Sequence, residues 1–571
     1  MTSPVVLGLW DGHEASVSLL AEGRLIFALS EERTSRRKRA SGFPEGALGA
    51  ALRFADQRGL EVTDVALAGR HGRAPLRLLD HLYRRTSPER DPLSLSSVAV
   101  RAWESLIPRA TGFRALEAAL GRLAPLRRVA RLLPRPFRIH VVAHHDAHAW
   151  SALFGAHDAS ALVLTWDAYG EGLAASARFA GSPERLNAAL PVSAGLAMLY
   201  GAVTHALGFK EGDEGKVMGL AGRGRPEVAA GRVGQLFRTD TAAPSLVRPL
   251  CHAELRRLVK GLSREDVAAG LQAATQREVT RWLRSLLSGG ARPSRLLLAG
   301  GLFANIRVNQ ALEREDVGGV YVFPNMVDGG LSAGAAHKVW YERSHGLAAE
   351  PATLQLGPEM EAARITRAVA SLSDSSLQVA ERGPAAARMA TRIARGEVIA
   401  LADGRDEFGP RALGARSILF SASRRGLPER VNRGLGRDGF MPFGPAVLAE
   451  AAEGMWSEIS AASDLSSMTL AVDASPDFAR RFPSAVHVDG TTRPQVVRAE
   501  SAPQLHELLS RLRAMGEAPV LINTSFNRHG EPIVHSPEDA LKTFTGADID
   551  ALFIGDYEIT RAEQARPRRN T

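Results

Sequence analysis

Ala161-Leu162-Val163-Leu164-Thr165-Trp166-Asp167-Ala168-Tyr169-Gly170, running into Leu173-Ala174-Ala175-Ser176-Ala177-Arg178-Phe179, is the stretch that decides the fold. An apolar run of strand length ends in an acid beside a tight turn, and a second run follows at once. That is the pattern of a β-hairpin. The same pattern opens the chain, where Val5-Val6-Leu7-Gly8-Leu9-Trp10-Asp11-Gly12 leads into Ala15-Ser16-Val17-Ser18-Leu19-Leu20.

A duplicated hairpin of this kind resembles the actin/sugar-kinase superfamily. The resemblance implies two halves that close on a nucleotide, with the strand-end Asp facing phosphates or metal. Working outward, helices over about 264–290 precede the strand Arg295-Leu296-Leu297-Leu298-Ala299. A break falls near Leu354-Gln355-Leu356-Gly357-Pro358, and a second α/β region runs from about 386 to about 560. The expected architecture is α/β: a duplicated actin/sugar-kinase-like domain over residues 1–355 and a second α/β domain over 356–571. Residues from about 70 to 140 are arginine-rich with leucines at helical spacing, read as a solvated helical insertion. The basic tail from Arg561 is expected to fray.

The chain has 571 residues, more than one core accommodates. At 45% hydrophobic and 23% charged it has an ordinary globular composition. The single cysteine, Cys251, excludes a disulfide framework or a cysteine metal cluster within the chain, which suits the cytoplasm. The opening Met1 to Asp11 lacks a basic n-region and reads as a first strand rather than a signal peptide. No apolar run reaches the length of a membrane span. A net charge of +9 favours anionic partners. No aromatic-basic motif accompanies it, so no nucleic acid is expected. A homodimer is compatible with the sequence.

His144 and His148 are four residues apart, a spacing that puts both imidazoles on one helix face within reach of one ion. Asp328, on a glycine turn opening a helix, is the best third ligand, and Asp167 a fourth. A mixed His/carboxylate set suits iron, zinc or manganese better than magnesium. Gly300 and Gly301 follow a strand and precede a helix, with Asn305 close behind, so the backbone there can approach an anion. Glu214 and Lys216 add an acid suited to ribose hydroxyls and a lysine suited to phosphate.

Downstream, Arg405, Arg411 and Arg416 are interleaved with Phe408 and Leu413, and Ser417 begins an apolar strand. Arginines held by apolar packing make a bidentate phosphate clamp, to which Arg493 could add. Asn523, Ser525 and Asn527 follow the buried run Val520-Leu521-Ile522 and can hold a carbonyl or phosphate oxygen. The alternative for the arginines is a salt-bridge network tying loops together.

With these residues in view the chain resembles the O-carbamoyltransferases of antibiotic and nodulation-factor biosynthesis, over nearly its whole length. The markers are Gly12-His13-Glu14-Ala15-Ser16, Glu31-Glu32-Arg33, His144-His145-Asp146-Ala147-His148, Glu214 to Ala221, Gly300 to Asn309, Glu407 to Ser417, His487-Val488-Asp489-Gly490-Thr491 and Asn523 to Pro532. The resemblance implies a YrdC-like C-terminal domain that uses carbamoyl phosphate and ATP, with Mg2+, to make carbamoyl-adenylate. It implies that Arg411 and Arg416 neutralise charge in that step. It also implies transfer at the N-terminal site, where Fe2+ or a similar divalent metal is held and an acceptor hydroxyl attacks, with His13 as the candidate base. The acceptor class implied is a small molecule: a sugar or natural-product hydroxyl.

The chain departs from the family in two places. Many relatives carry Ile-Lys-x-Arg-Glu where this chain reads Asn432-Arg433-Gly434-Leu435-Gly436-Arg437-Asp438, leaving Arg437 to supply the charge. After Glu-Glu-Arg, Arg37-Lys38-Arg39 replaces a common Lys-His. Two other readings compete: a tRNA-modifying enzyme placing threonylcarbamoyl groups, and an ATP-sensing or assembly protein on a degenerate scaffold. The Glu407-to-Ser417 motif and the domain order argue against the first. Retention of the histidines, Asp328 and the arginine cluster argues against the second.

Overall fold

The computed structural model describes residues 3–69, 127–133, 136–238, 244–247, 252–374, 376–381, 385–437, 439 and 443–561. Most of the arginine-rich stretch, Cys251 and the basic tail beyond Arg561 lie outside the described residues.

The N-terminal strands are β1 (Val5–Trp10), β2 (Ser16–Ala21), β3 (Arg24–Ser30), β4 (Asp64–Ala68) and β5 (Arg138–Val142), ordered β3-β2-β1-β4-β5. The next five are β6 (Leu162–Gly170), β7 (Leu173–Phe179), β8 (Ala188–Pro191), β9 (Leu296–Ala299) and β10 (Val320–Val322), ordered β10-β9-β6-β7-β8. Read from its own first strand, the second sheet repeats the first. In each, the first two hairpin connections are antiparallel and the last two strands add in parallel on the other side. The duplication expected from the hairpins is therefore present throughout both sheets. Every residue of β1 is buried, which is why that strand reads as an unbroken apolar run. Along β6 the side chains alternate between two cores, with Leu162, Leu164 and Trp166 in one and Ala161 and Val163 in the other.

The repeat extends to the turns and the crossover helices. Trp10-Asp11 and Trp166-Asp167 end corresponding strands, and each following turn holds a glutamate at positive φ, Glu14 at 55° and Glu171 at 56°. After β5 comes the helix His144–Ala152, and after β10 a short turn leads into the helix Leu331–Ser344. These two helices are built from small residues and press together. A Cβ on Gly334 would lie 1.7 Å from the carbonyl oxygen of Ala147, and one on Gly8 of β1 would lie 1.9 Å from that of Ser332. Ser16 donates to the Ser332 hydroxyl at 2.8 Å across the same contact.

Beyond residue 354 the strands are β11 (Gln355–Glu359), β12 (Leu377–Glu381), β13 (Ile399–Ala402), β14 (Arg405–Glu407), β15 (Arg416–Ser421), β16 (Gly444–Leu448), β17 (Val472–Asp473), β18 (Thr491–Thr492), β19 (Gln495–Val497), β20 (Val520–Ser525), β21 (Ala551–Ile554) and β22 (Tyr557–Arg561). Eight of them make one mixed sheet in the order β12-β22-β21-β13-β15-β20-β16-β19, while β11 pairs with β14 and β17 with β18. Alternation again assigns the faces. Ile418, Phe420, Ile522 and Leu552 enter one core, and Leu419, Leu521 and Phe553 enter the other. Among the described residues no helix is long and apolar enough to cross a membrane.

Because Gly334 has no room for a methyl group, Gly334→Ala is expected to destabilise the protein by about 1–3 kcal/mol through overpacking. Gly231, inside the helix Pro226–Gly234, faces nothing within 4 Å, so Gly231→Ala should be neutral or slightly stabilising. Thermal melts of the two variants check this, with the first shifted down and the second not.

Candidate active site

The two close-packed helices bring their starts together over the end of β6. His144 and His148 come from one helix, Asp328 from the turn that opens the other, and Asp167 from β6. The Nε2 of His144 lies 3.1 Å from Asp167 Oδ2 and 3.6 Å from Asp328 Oδ1. The Nε2 of His148 lies 3.2 Å and 3.4 Å from the same two oxygens. One ligand atom from each of the four lies within 4.8 Å of the others. Four atoms set tetrahedrally at about 2.1 Å from one centre would stand about 3.4 Å apart, so the spacing fits a single ion. Three of the four residues are buried, and a buried cluster of this kind needs a compensating cation or protons.

The electrostatics agree. Burial opposes charge on His148, but hydrogen bonds to Asp167 and Asp328 outweigh it and hold the ring at about 9. Burial pushes the Asp167 carboxyl up, and its hydrogen bonds to His144 and His148 more than reverse this, keeping it well below the usual carboxylate range. Both carboxylates are thus ionised, and the donor set of two imidazoles and two carboxylates suits a first-row divalent metal.

Glycines make room for the cluster. A Cβ at Gly170 would lie 2.2 Å from the His144 ring, and one at Gly301 would lie 2.9 Å from Asp167 Oδ1. Gly300, at φ 111°, packs so closely on β6 that a Cβ would lie 2.3 Å from the Trp166 carbonyl oxygen.

The third histidine of the run is not part of the cluster. His145 contacts Thr165 Oγ1 at 2.9 Å and the Leu173 carbonyl at 3.0 Å, and burial followed by its two histidine neighbours lowers it to about 3. It is a neutral brace between β6 and β7.

His13 stands at the edge of the cluster, its Nδ1 3.2 Å from Asp328 Oδ2 and its side chain about one-third exposed at 32%. The contact is an ion-pair distance rather than a formed hydrogen bond, since Asp328 Oδ2 has no hydrogen-bond partner among the described residues. Beside it Glu14 pairs with Arg39 at 3.1 Å, and Arg39 comes within 3.8 Å of Glu211. Burial raises the Glu14 carboxyl, with Arg39 opposing. The sequence reading passed over Glu14 and Glu171, whose carboxylate accepts the His144 backbone N–H at 3.2 Å. Aligning the two hairpins turn by turn would have paired them.

The nucleotide candidates fare unevenly. Asn305 is committed to structure: its oxygen caps the helix Ile306–Glu313 through the N–H groups of Arg307 and Val308, and its amide donates to Gln272 at 2.8 Å. Lys216 pairs with Asp213 at 3.3 Å and lies 3.5 Å from His529 Nε2, joining the two parts of the chain. Glu214 opens the helix Glu214–Ala221, and its carboxylate accepts from the Gly212 N–H at 3.4 Å.

In the C-terminal part Glu407 builds the arginine loop. Its Oε1 accepts from the backbone N–H groups of Leu413, Ala415 and Arg416 at 3.1, 2.6 and 3.0 Å. Two arginines expected in a phosphate clamp are spent elsewhere. Arg416, fully buried, donates to the carbonyls of Asp403 and Gly404 and pairs with Asp406 at 2.8 Å. Arg405 donates to the carbonyls of Gly357, Leu356 and Ile26 and lies over the Phe54 ring. For these two the loop-tying alternative holds, because closing the loop inward brings carbonyls to their donors. Ser417 likewise is buried and accepts from the Gly414 N–H at 3.0 Å.

Arg411 and Arg493 differ. Each Nε is buried with no acceptor, as is that of Arg416, but unlike Arg416 neither guanidinium has a carbonyl or carboxylate partner among the described residues. Burial lowers Arg411, and burial together with Arg411 lowers Arg493 well below the usual range. Two guanidiniums without a carboxylate partner among the described residues are suited by their chemistry to an anion. Arg437 stands among Thr524, Ser525 and Asn527, donating to the Thr524 hydroxyl and the Ser525 carbonyl at 2.7 Å. Asn523 donates to the Ala412 carbonyl and to Gln495, leaving its buried Oδ1 without a donor among the described residues.

The model of the carbamoyltransferase N-terminus matches residues 6–337, and that of the carbamoyltransferase C-terminus matches 390–561. The nodulation protein NolNO of Sinorhizobium fredii is 30% identical over 96% of this chain and 79% of its own length. The 3'-hydroxymethylcephem-O-carbamoyltransferase of Streptomyces clavuligerus is 24% identical over 97% of this chain and 98% of its own. Among solved structures, the activator of the 2-hydroxyisocaproyl-CoA dehydratase from Clostridium difficile overlaps 60% of this chain and 97% of its own at 13% identity and a TM-score of 0.33. That likeness is too loose to add to the topology read from the strands.

Replacing a ligand should remove the metal. After loading with Fe2+ or Co2+ and dialysis, elemental analysis of Asp328→Asn or His148→Ala is expected to give less than about a tenth of the wild-type content. His145→Asn, at the brace rather than the cluster, should keep it.

Proposed function

This chain belongs to the carbamoyltransferase family and is a transferase, and on that premise we propose that it makes carbamoyl-adenylate at the C-terminal site and passes the carbamoyl group to an acceptor hydroxyl at the N-terminal site. In this reading the eight-stranded sheet and its loops form a YrdC-like domain. Carbamoyl phosphate and water give carbamate and phosphate. The carbamate oxygen then attacks the α-phosphorus of ATP, bound with Mg2+, and pyrophosphate leaves. Arg411 and Arg493, with Arg437 and the Asn523–Asn527 turn, neutralise the phosphate charge as it shifts.

At the second site the acceptor oxygen attacks the carbamoyl carbon, the bond to the adenylate oxygen breaks, and AMP leaves. His13 takes the hydroxyl proton. Asp328, paired with its Nδ1, holds the ring and stabilises the imidazolium. His144, His148, Asp167 and Asp328 would hold a divalent ion such as Fe2+, which would supply Lewis-acid charge for a bound phosphate or carbonyl. Gly300 and Gly301, packed against Trp166 and Asp167, are assigned to the adenylate, and Glu214 and Lys216 are assigned to its ribose and phosphate. The acceptor is a small molecule, a sugar or natural-product alcohol, in keeping with the cephem transferase among the relatives. The tRNA-modifying reading is not favoured by the family match.

What supports this reading is the pair Arg411 and Arg493, from two segments of the matched C-terminal region, each with a buried Nε that has no acceptor among the described residues. Pyrophosphate release from ATP should require carbamoyl phosphate, and mass spectrometry should find carbamoyl-adenylate. Arg411→Met should slow that release by about a hundredfold or more, while supplied carbamoyl-adenylate is still consumed. Release that ignores carbamoyl phosphate would contradict the assignment.

A further inference from the structure

Glu31-Glu32-Arg33 begins a stretch that touches both candidate sites. The Arg33 side chain is buried, 1% exposed. One of its terminal nitrogens donates to the carbonyls of Glu407 and Gly409, each at 3.3 Å. Those carbonyls belong to the loop that carries Arg411 two residues later. Arg36 donates to the carbonyls of Ile533 and Pro532 at 2.7 and 2.9 Å and pairs with Asp539 at 3.1 Å. The same stretch is sewn to the His13 turn. The Glu31 N–H donates to the Ala15 carbonyl at 2.8 Å, the Ala15 N–H to Ala40 at 2.9 Å, and the Gly42 N–H to Gly12 at 3.1 Å. Glu32 and Glu31 hold the stretch in shape, accepting from the N–H groups of Arg39 and Ala47, both at 2.8 Å.

A second contact runs in parallel. Gly409, at φ 135°, lies against Pro324 and Asn325, where a Cβ would come within 3.2 Å of the Pro324 carbonyl oxygen. Asp328 follows three residues after Asn325. The arginine loop is therefore fixed to both the His13 turn and the segment leading to Asp328.

We propose that Arg33 is a positioning residue that holds the backbone of the Arg411 loop in register with the His13 turn, so that the two sites keep one fixed relation. This rests on the two-site reading above. Its far nitrogen serves two carbonyls of one loop at the full length of the arginine side chain, and the shorter lysine side chain sets its ammonium back from that point, within reach of at most one. Releasing them lets Arg411 move away from Arg493, and errors of about an ångström in such a clamp cost large factors in rate.

The test is carbamoyl-phosphate-dependent exchange of labelled pyrophosphate into ATP, measured on the full chain loaded with Fe2+. In Arg33→Met the KM for carbamoyl phosphate should rise about tenfold to a hundredfold, with metal content unchanged. Arg33→Lys, which keeps a donor for one carbonyl, should fall between it and the wild type, and it decides the matter should Arg33→Met not fold. Wild-type exchange with unchanged KM and kcat in both variants would overturn the proposal alone. So would a loss that tracks melting temperature and is not relieved in Arg33→Lys. Absence of exchange in the wild type would overturn the two-site reading and the proposal with it.

Discussion

The packing of the helix His144–Ala152 on the helix Leu331–Ser344 is the constraint from which the rest of the molecule follows. Backbone of one meets backbone of the other at Gly334 and Ala147, with no side chain between. Only this closeness lets two imidazoles from one helix and Asp328 from the start of the other share the end of β6 with Asp167. The two helices are the corresponding crossovers of a duplicated fold, so the cluster stands where the two copies meet. A larger residue at the seam would part the ligands before it unfolded either sheet.

The second constraint is electrostatic. In the C-terminal part the buried Arg416 is matched to Asp406 and to carbonyls, and the half-buried Arg430 to Asp548 and Asp550. Arg411 and Arg493 have no such partner among the described residues, and the charge of Arg411 disfavours that of Arg493. Buried like charges are costly unless something else fixes them. Glu407, with three backbone N–H groups on one oxygen, fixes the loop, and Arg33 grips its carbonyls from the other part of the chain. The fold bears that cost, which is what the proposed anion site requires.

How much of this was legible in the sequence depends on range. The hairpins were visible because strand period and a turn acid are local signals, and their repetition extends to full sheet order. The i, i+4 spacing of His144 and His148 found two members of the cluster, and the turn acids Asp167 and Asp328 the others. Spacing could not tell that His145 faces β6 and β7, since that depends on which strand lies behind the helix. The arginines were harder. Arg405, Arg411 and Arg416 look alike in a loop sequence, and their separation into two tethers and one guanidinium without a partner among the described residues is set by how Glu407 closes the loop. Arg33 meets its partners across more than 370 residues, and no local pattern carries that information. The solvated-insertion reading of the arginine-rich stretch falls mostly outside the described residues.

The most direct measurement is an anomalous difference map from crystals of the Fe2+-loaded protein, collected at the iron edge. The account predicts one strong peak bounded by His144 Nε2, His148 Nε2, Asp167 and Asp328, with His145 outside its coordination sphere. A peak held by His145, or iron bound elsewhere with these four side chains left to one another, would contradict it.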